Sequence, residues 1–212
     1  MIGISGWGRS GRRGRRKQKK AEPMDKLPLY SIGHGNRKQE ELLELLQRYG
    51  IQYLLDVRTS PYSKFNPQFN QNELKHFLLQ NGTIYVFMGD TLGGRPEDES
   101  CYTDGKVDYE KIKTKDFFKI GIDRLKTAYK KNIPIVMMCS ESKPQECHRS
   151  KLIGTYLQNE DIRVIHIDEK GKEKNQDDVM LLVTKGKNAV DLFGEKESFV
   201  SRKAYKKDEN VD

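Results

Sequence analysis

Five short apolar runs alternate with helical patterns along the middle of the chain. The runs cover residues 27–32, 51–57, 83–88, 133–138 and 162–167. Each run is shorter than a typical helix and is bounded by turn-forming residues, so each predicts a buried β-strand.

Between these strands, apolar residues recur at the three- and four-residue spacing of an amphipathic helix. The first helix is predicted between a capping pair, Asn36 and Gln39, and a terminating Gly50. A second capping pair, Asn70 and Glu73, opens a helix that runs to residue 80. The remaining predicted helices cover residues 117–131 and 144–160.

This alternation predicts an α/β fold: a single three-layer, Rossmann-like domain with a mainly parallel sheet of about five strands and helices on both faces. We expect this domain to cover residues 24–170. The long polar connection at residues 89–108 is predicted to be a functional or disordered loop. Residues 171–212 are expected to form a C-terminal extension, helical over residues 177–185 and frayed over residues 198–212.

The net charge of +8 comes from the N-terminal tail. Eight of the 39 basic residues lie within residues 1–20, which contain no acid, so the rest of the chain has 31 basic and 31 acidic residues. A tail rich in Gly, Arg and Lys buries too little apolar surface to fold, so residues 1–23 are predicted to be disordered. They are interpreted as a nucleic-acid tether or address, as a solvated segment without a partner, or as an extension before a start at Met24 that the native protein lacks.

Cysteine usage and hydropathy limit the setting of the protein. Three cysteines, an odd number, do not form a disulfide framework, so a reducing, cytoplasmic location is expected. No apolar run approaches the ~20 residues that span a bilayer, and we expect no membrane partner. The sequence indicates neither a cofactor nor an oligomeric state.

Polar residues gather directly after four of the predicted strands. These clusters are residues 33–36, 56–64, 92–96 and 139–149. The carboxyl ends of parallel strands lie on one edge of a sheet, so the four clusters are expected to converge into one site.

The fourth cluster carries two thiols, a carboxylate, an imidazole and a guanidinium. If a helix begins near Pro144, Cys147 and His148 lie in its first turn, where the helix dipole and nearby positive charge lower the pKa of a thiol. Cys147 is therefore a candidate nucleophile or redox thiol, and a structural thiol is the alternative. Cys139, at the end of a buried strand, is a candidate partner of Cys147, and the favoured alternative is a small core residue.

Two further residues join Cys147 and His148 in the predicted catalytic group. His34 lies between two glycines that permit close approach of a ligand, and it is a candidate general acid or base. The alternative is a loop histidine bonded to the backbone. Glu141 is a candidate general base or the ion-pair partner of a neighbour such as Arg149.

A second group is predicted to bind an anion. Arginine binds phosphate through paired hydrogen bonds, and adjacent glycines leave backbone N–H groups free to meet the same anion. Asp56 is expected to orient Arg58 or to bind a ribose hydroxyl, with an internal salt bridge as the alternative. The predicted anion- or substrate-binding residues are Asn36, Asp56, Arg58, Ser63, Gly93, Gly94, Arg95 and Arg149.

Aromatic side chains and potential metal ligands leave further alternatives. Tyr62, Phe65 and Phe69, near a lysine, are interpreted either as a platform that stacks bases or as a lid packed on the sheet edge. The C-x7-C-H spacing at residues 139–148 matches no standard zinc finger, and adjacent Cys and His residues seldom both reach one ion. No metal site is therefore expected, and His166 is interpreted as structural.

An ordered set of short motifs carries a resemblance to a known family. The motifs are SIGHGN at 31–36, DVR at 56–58 with Pro61, Ser63, Pro67 and Phe69, LGGR at 92–95, CSE at 139–141, CHR at 147–149, and His166 with Ile167. Over residues 27–168 the chain resembles the family called domain of unknown function 488 (DUF488). The resemblance implies a compact α/β domain and no established reaction. Gly35 departs from the pattern, since many similar chains have Ser there, and the basic tail is not part of it.

These observations favour an enzyme that acts on or binds a phosphate-bearing substrate, a nucleotide or a nucleic acid. Its Cys/His/Arg site would lie at the carboxyl edge of the sheet. The alternative is a non-catalytic module that binds an anion or single-stranded nucleic acid through the same arginines and aromatic side chains.

Overall fold

The computed structural model describes residues 26–186 and 199–205, so the basic tail lies outside the described residues. The strands are β1 Leu29–Gly33, β2 Tyr53–Asp56, β3 Ile84–Phe87, β4 Tyr102–Thr103, β5 Lys106–Val107, β6 Ile135–Cys139, β7 Val164–Ile167 and β8 Glu173–Asn175. Six of them form one sheet in the order β3-β2-β6-β1-β7-β8, and β4 pairs with β5 in a hairpin. The five predicted strands are parallel and β8 is antiparallel, which confirms the mainly parallel α/β class.

Helices cover both faces of the large sheet. The α-helices are α1 Gln39–Arg48, α2 Gln71–Gln80, α3 Gly89–Leu92, α4 Tyr109–Lys113, α5 Asp116–Lys130, α6 Thr155–Asn159 and α7 Gln176–Val183, and a π-helix spans Arg149–Gly154. Leucines of α1 and α2, such as Leu42 and Leu74, pack with Val136 on one face. Phe118 of α5 and Leu152 of the π-helix belong to the core on the other face. The three-layer prediction is therefore confirmed.

Strand β6 explains how one short apolar run serves two cores. All five of its residues are buried. Val136 and Met138 join the core under α1 and α2, whereas Ile135, Met137 and Cys139 join the opposite core. Successive side chains of a strand point to opposite faces, and a central parallel strand is apolar on both. Cys139 thus faces the layer that contains the π-helix.

Both predicted capping pairs are corrected. Helix α1 begins after Lys38, whose backbone N–H donates to the Glu41 carboxylate at 3.0 Å, so Asn36 does not cap it. Asn70 does precede α2, but its side chain makes no capping hydrogen bond. Its Oδ1 instead accepts from the backbone N–H of Ser63 at 2.7 Å, which closes the loop after β2.

The connection over residues 89–108 is folded, contrary to the predicted loop. It contains α3, a 3₁₀ turn at Glu99–Cys101 and the β4–β5 hairpin. Asp104 and Gly105 take φ of 49° and 71°, the positive values that a two-residue type I′ hairpin turn requires. Strands of two residues are too short to show an alternating pattern of apolar and polar residues, so the sequence did not predict the hairpin.

The sheet also continues past residue 170, because β8 pairs with β7. Residues 199–205, within the segment expected to be frayed, form an ordered strap against the hairpin, here called the C-terminal strap. The Ser201 N–H donates to the carbonyl of Val107 at 2.9 Å, and the Tyr205 N–H donates to that of Gly105 at 2.7 Å. Within the described ranges, no helix is long and apolar enough to cross a membrane.

Candidate active site

The carboxyl ends of β2 and β6 lie side by side where the chain leaves the sheet in two directions. From β2 it continues through α2 to β3, and from β6 it continues through the π-helix to β7 on the other side. Ligands of open α/β sheets bind in the crevice that such a divergence leaves. The topology alone therefore places a site between the residues after Asp56 and those after Cys139.

A cavity of about 240 Å³ lies in that crevice. Its walls come from residues 58–60 after β2, residues 94 and 95, residues 139–141 after β6, and the C-terminal strap. Tyr109, Glu146 and His148 complete the lining. Three of the four predicted polar clusters thus meet at one cavity, whereas the cluster after β1 does not reach its wall.

The cavity divides the predicted site residues into two groups. Arg58, Gly94, Arg95, Glu141 and His148 line it. The remaining predicted residues stand outside the lining: His34, Asn36, Asp56, Ser63, Gly93, Cys147 and Arg149. Most residues of this second group contact residues of the lining and help to hold them in place.

Cys139, Cys147 and His148 form one buried cluster at the base of the cavity. The Nδ1 atom of His148 lies 3.7 Å from the Sγ atom of Cys139 and 3.6 Å from that of Cys147. The donor atoms all lie within 4.8 Å of one another. The expectation that adjacent Cys147 and His148 would not both reach one point is thereby corrected. So is the assignment of Cys139 to the core alone, because Cys139 lines the cavity and Cys147 lies behind it.

The local backbone explains this convergence. A 3₁₀ turn, Pro144–Glu146, ends at Cys147, which is extended with φ −114° and ψ 152°. His148 is already helical, with φ −65° and ψ −23°. Cys147 therefore precedes the helix instead of lying in its first turn, and the abrupt change of direction turns both side chains toward Cys139. The π-helix that follows is a rare form found frequently at functional sites.

Neighbouring groups and charges shift the pKa values of the three side chains of the cluster in different directions. Burial raises the pKa of Cys147, but the neighbouring Cys139 side chain and the charges of Arg149 and His148 outweigh burial and hold that pKa well below its usual value. The neighbouring Cys147 side chain, together with burial, raises the pKa of Cys139. Burial lowers the pKa of His148, but the charge of Cys147 raises it overall. These opposite shifts favour the negative charge on Cys147, the positive charge on His148 and the proton on Cys139.

Glu141 places a carboxylate beside the cluster. Its Oε2 accepts the thiol hydrogen bond of Cys139 at 3.0 Å. Burial, and then the negative charge of Cys147, raise the pKa of Glu141. A carboxyl group that is half withdrawn from water and next to a reactive cluster suits proton transfer.

Arg149 holds the loop after β6 and is not available to a ligand. It is fully buried, and its guanidinium donates to the carbonyls of Glu141 at 2.5 Å and Ser142 at 3.1 Å. Gly33 lies against the same loop, since a β-carbon there would stand 1.7 Å from the Glu141 carbonyl oxygen. The predicted anion-binding role of Arg149 is corrected to a positioning role.

Asp56 and Arg58 form the buried internal salt bridge that was the alternative for Asp56. The guanidinium donates to both carboxylate oxygens, Nε to Oδ1 at 2.8 Å and Nη2 to Oδ2 at 2.6 Å. Tyr85 donates a further hydrogen bond to Asp56 at 2.7 Å, and Arg58 donates to the carbonyl of Phe69 at 2.7 Å. Arg58 reaches the cavity wall already neutralised, so it contributes shape more than net charge.

His34 supports this network from behind. Its Nδ1 atom lies 2.9 Å from the carbonyl of Gly35, its Nε2 lies 3.4 Å from a guanidinium nitrogen of Arg58, and its ring stacks on Phe69 at 4.4 Å. Burial, and then the charge of Arg58, lower the pKa of His34 to about 4. The neutral ring therefore donates to the backbone and accepts from Arg58, which is the arrangement of the structural alternative, and the acid–base role of His34 stays a prediction.

The remaining predicted residues have separate positions. A β-carbon on Gly94 would stand 2.7 Å from the His148 ring, so Gly94 is a packing contact of that histidine. A β-carbon on Gly93 would stand 2.2 Å from the carbonyl oxygen of Gly89. Arg95 is exposed, and its guanidinium lies 5.0 Å from the ring centre of Tyr205.

Loop residues account for the other two. Asn36 is exposed and outside the cavity wall. The Ser63 hydroxyl accepts from the backbone N–H groups of Phe65 and Asn66 at 3.2 Å each, so Ser63 shapes the loop. In that loop the side chain of Phe65 is 94% exposed, whereas Phe69 is buried.

Sequence reasoning missed the contribution of the C-terminal strap. Ser201, Arg202, Lys203 and Tyr205 all line the cavity. Arg202 also pairs with Glu146 at 2.8 Å. The strap has no helical or strand periodicity, and its one signal is a basic pair between aromatic and apolar residues.

Comparison with known proteins gives a family but no characterised relative. Searches of curated proteins and of solved structures found no significant match. A family model described as "Domain of unknown function DUF488" matches residues 38–156, which is more than half of the 212 residues. This match includes the residues after β2 and β6 that build the cavity, and the chain belongs to the DUF488 family.

Proposed function

We propose that the protein is an enzyme that acts on a phosphate-bearing substrate, a nucleotide or a nucleic acid, bound in the cavity between β2 and β6. One observation carries the proposal: a buried Cys/His cluster forms the base of a cavity whose rim is cationic. Cys139 and His148 line the base, and Arg95, Arg202 and Lys203 line the rim.

The charges around the rim favour an anion. Arg95 and Lys203 are both exposed beside the cavity. Arg202 pairs with Glu146, but both side chains remain partly exposed, at 52% and 39%. An exposed pair of this kind is worth at most about 1 kcal/mol, so a phosphate group can replace the carboxylate at little cost. Arginine and lysine then hold the substrate over the Cys/His cluster.

Glu141 supplies the proton-transferring carboxylate in this proposal, since it lines the cavity and bonds to Cys139. The setting that we propose is the cytoplasm. All three cysteines are free, which suits a reducing compartment.

Calorimetric titration with inorganic phosphate, nucleoside monophosphates and the unphosphorylated nucleosides tests the proposal. We expect the phosphate-bearing ligands alone to bind. Arg95→Ala or Lys203→Ala should weaken binding about tenfold, because each removes a charge-assisted hydrogen bond. Lys130→Ala, at an exposed position on α5, is the matched control and should bind normally. Equal binding of nucleosides and their phosphates would refute the proposal.

A second candidate is single-stranded nucleic-acid binding without chemistry. It is favoured by the loop after β2, where Tyr62 is 67% and Phe65 is 94% exposed, with Lys64 between them. Exposed aromatic rings next to a cation can stack successive bases. This candidate predicts that Phe65→Ala weakens oligonucleotide binding while Arg95→Ala does not. The opposite pattern favours the cavity.

A further inference from the structure

Cys139, Cys147 and His148 match the edges of a zinc coordination tetrahedron. Zinc bonds of about 2.3 Å to sulfur and about 2.0 Å to nitrogen, at tetrahedral angles, place the sulfur and nitrogen atoms about 3.6 Å apart. The His148 Nδ1 atom lies 3.6 Å from the Cys147 sulfur and 3.7 Å from the Cys139 sulfur. The two sulfur atoms lie within 4.8 Å of each other. Zinc would hold them about 3.8 Å apart, so the adjustment required is no more than about 1 Å.

The far side of His148 has the partner that a metal-binding histidine needs. Its Nε2 lies 3.2 Å from the carbonyl oxygen of Val57. This hydrogen bond fixes the ring with Nδ1 pointing at the two sulfur atoms, and zinc would bind Nδ1 in its deprotonated form. Metal-ligating histidines almost always donate their second N–H in this way, often to a backbone carbonyl. Gly94 packs on the same ring, since a β-carbon at residue 94 would stand 2.7 Å from Nδ1.

We propose that Cys139, Cys147 and His148 bind one zinc ion, with the fourth coordination position open to the cavity. Two thiolates and one imidazole form a borderline-soft donor set of the kind that zinc prefers. The doubly negative pair of thiolates balances the charge of the ion in a buried place. Cys139 and His148 line the cavity, which gives the ion a path of entry.

The open position defines what the ion does there. Zinc sites with three protein ligands bind water or substrate at the fourth position, whereas structural sites are closed by four protein ligands. Glu141, whose Oε2 lies 3.0 Å from the Cys139 sulfur, would place a carboxylate beside a water or substrate held at that position. This use of the ion rests on the proposed function, but the binding of the ion does not.

Metal analysis of protein purified under reducing conditions without a histidine tag tests the proposal. We expect about one zinc per chain, and a loss of zinc affinity of ~10-fold or more in Cys139→Ala, Cys147→Ala and His148→Ala. Cys101→Ala is the matched control, because Cys101 is also a buried free cysteine but lies outside the cluster. Glu141→Gln should keep its zinc. Loss of zinc in that variant would overturn the open fourth position.

A spectroscopic measurement covers the case in which the cysteine variants fail to fold. Cobalt(II) added to the metal-free wild-type chain should give the intense visible bands of tetrahedral cobalt and thiolate-to-cobalt charge transfer in the near ultraviolet. Zinc should displace the cobalt stoichiometrically. Wild-type protein that holds no zinc and shows no thiolate–cobalt absorption overturns the proposal, even if phosphate ligands bind. A protein that binds zinc but binds none of the phosphate-bearing ligands would refute the proposed function and leave the zinc site standing.

Discussion

Gly94 lies so close to His148 that a β-carbon at residue 94 would stand 2.7 Å from the imidazole Nδ1 atom. Real β-carbons do not approach ring atoms so closely, so the ring would have to move. The Nδ1 atom that contacts Cys139 and Cys147 would move with it. A glycine that the sequence suggested as an anion nest thus controls the position of a histidine.

Gly94→Ala should therefore disrupt the site without unfolding the protein. We expect phosphate-ligand affinity and zinc content to fall at least ~10-fold, the cost seen when a metal-ligand support is removed. The control is Gly82→Ala, where a β-carbon meets no atom within 4 Å, although φ of 76° adds mild strain. Calorimetry and metal analysis of both variants check this. Unchanged zinc content in Gly94→Ala would contradict the packing argument.

Asp56→Asn should destabilise the fold by about 3–5 kcal/mol, because it leaves the buried guanidinium of Arg58 without its counter-ion. Tyr85→Phe removes one hydrogen bond to the same carboxylate and should cost about 1 kcal/mol. Urea unfolding measures both effects. Asp123→Asn, at an exposed position on α5, is the control and should change the free energy of unfolding little. A small effect of Asp56→Asn would mean that Arg58 finds another partner.

The sequence predicts the sheet well and its order not at all. Each apolar run, such as residues 133–138, identifies a strand because a central parallel strand is apolar on both faces. The position of β6 between β1 and β2 depends on how crossovers pack, which no local pattern records. The C-terminal strap is held by backbone hydrogen bonds to Val107 and Gly105, and backbone bonds leave no side-chain periodicity to detect.

The predicted site residues also differ in a way that local sequence does not record: some line the cavity and others are bound inside the protein. Residue type selected Arg95, Glu141 and His148, which line the cavity, and their functional roles stay predictions. It did not separate them from Arg149, whose two terminal nitrogens donate to backbone carbonyls, or from His34, whose ring contacts a carbonyl and a neighbouring guanidinium. An arginine that binds a ligand and one that braces a loop look alike in a sequence, because the difference lies in which acceptors are nearby.

Acid should destabilise the protein through two buried histidines. Burial first, and then the charge of Arg58 at His34, lower the pKa of His34 to about 4, and burial lowers that of His166 to about 4. Since an unfolded histidine has a pKa of about 6.5, the unfolded chain binds more protons between pH 6.5 and 4. Stability is therefore full above pH 6.5 and falls as the pH drops toward 4, by about 3 kcal/mol for each histidine.

Urea unfolding across this pH range measures the effect. In His166→Gln the slope of unfolding free energy against pH should be smaller by about one proton, whatever the stability of the variant at neutral pH. His76→Gln, which replaces an exposed histidine, should keep the wild-type slope. Identical slopes in all three proteins would show that His166 does not stay neutral in the folded state.

Removal of the C-terminal strap should weaken ligand binding strongly and preserve the fold. A chain that ends at residue 198 loses Arg202, Lys203 and Tyr205 from the cavity wall, but it keeps the whole sheet and α7. A chain that ends at residue 205 keeps the strap and is the matched control. We expect the shorter chain to bind phosphate ligands about 100-fold more weakly, because two cationic contacts are lost at about tenfold each.

The same pair of truncated chains separates binding from the metal site. Cys139, Cys147 and His148 have no hydrogen bond to the strap among the described contacts, so both chains should keep their zinc. Circular dichroism should show the same helix content apart from the deleted residues. Normal phosphate affinity in the chain that ends at residue 198 would remove the strap from the binding site and leave Arg95 as the cation that holds the substrate.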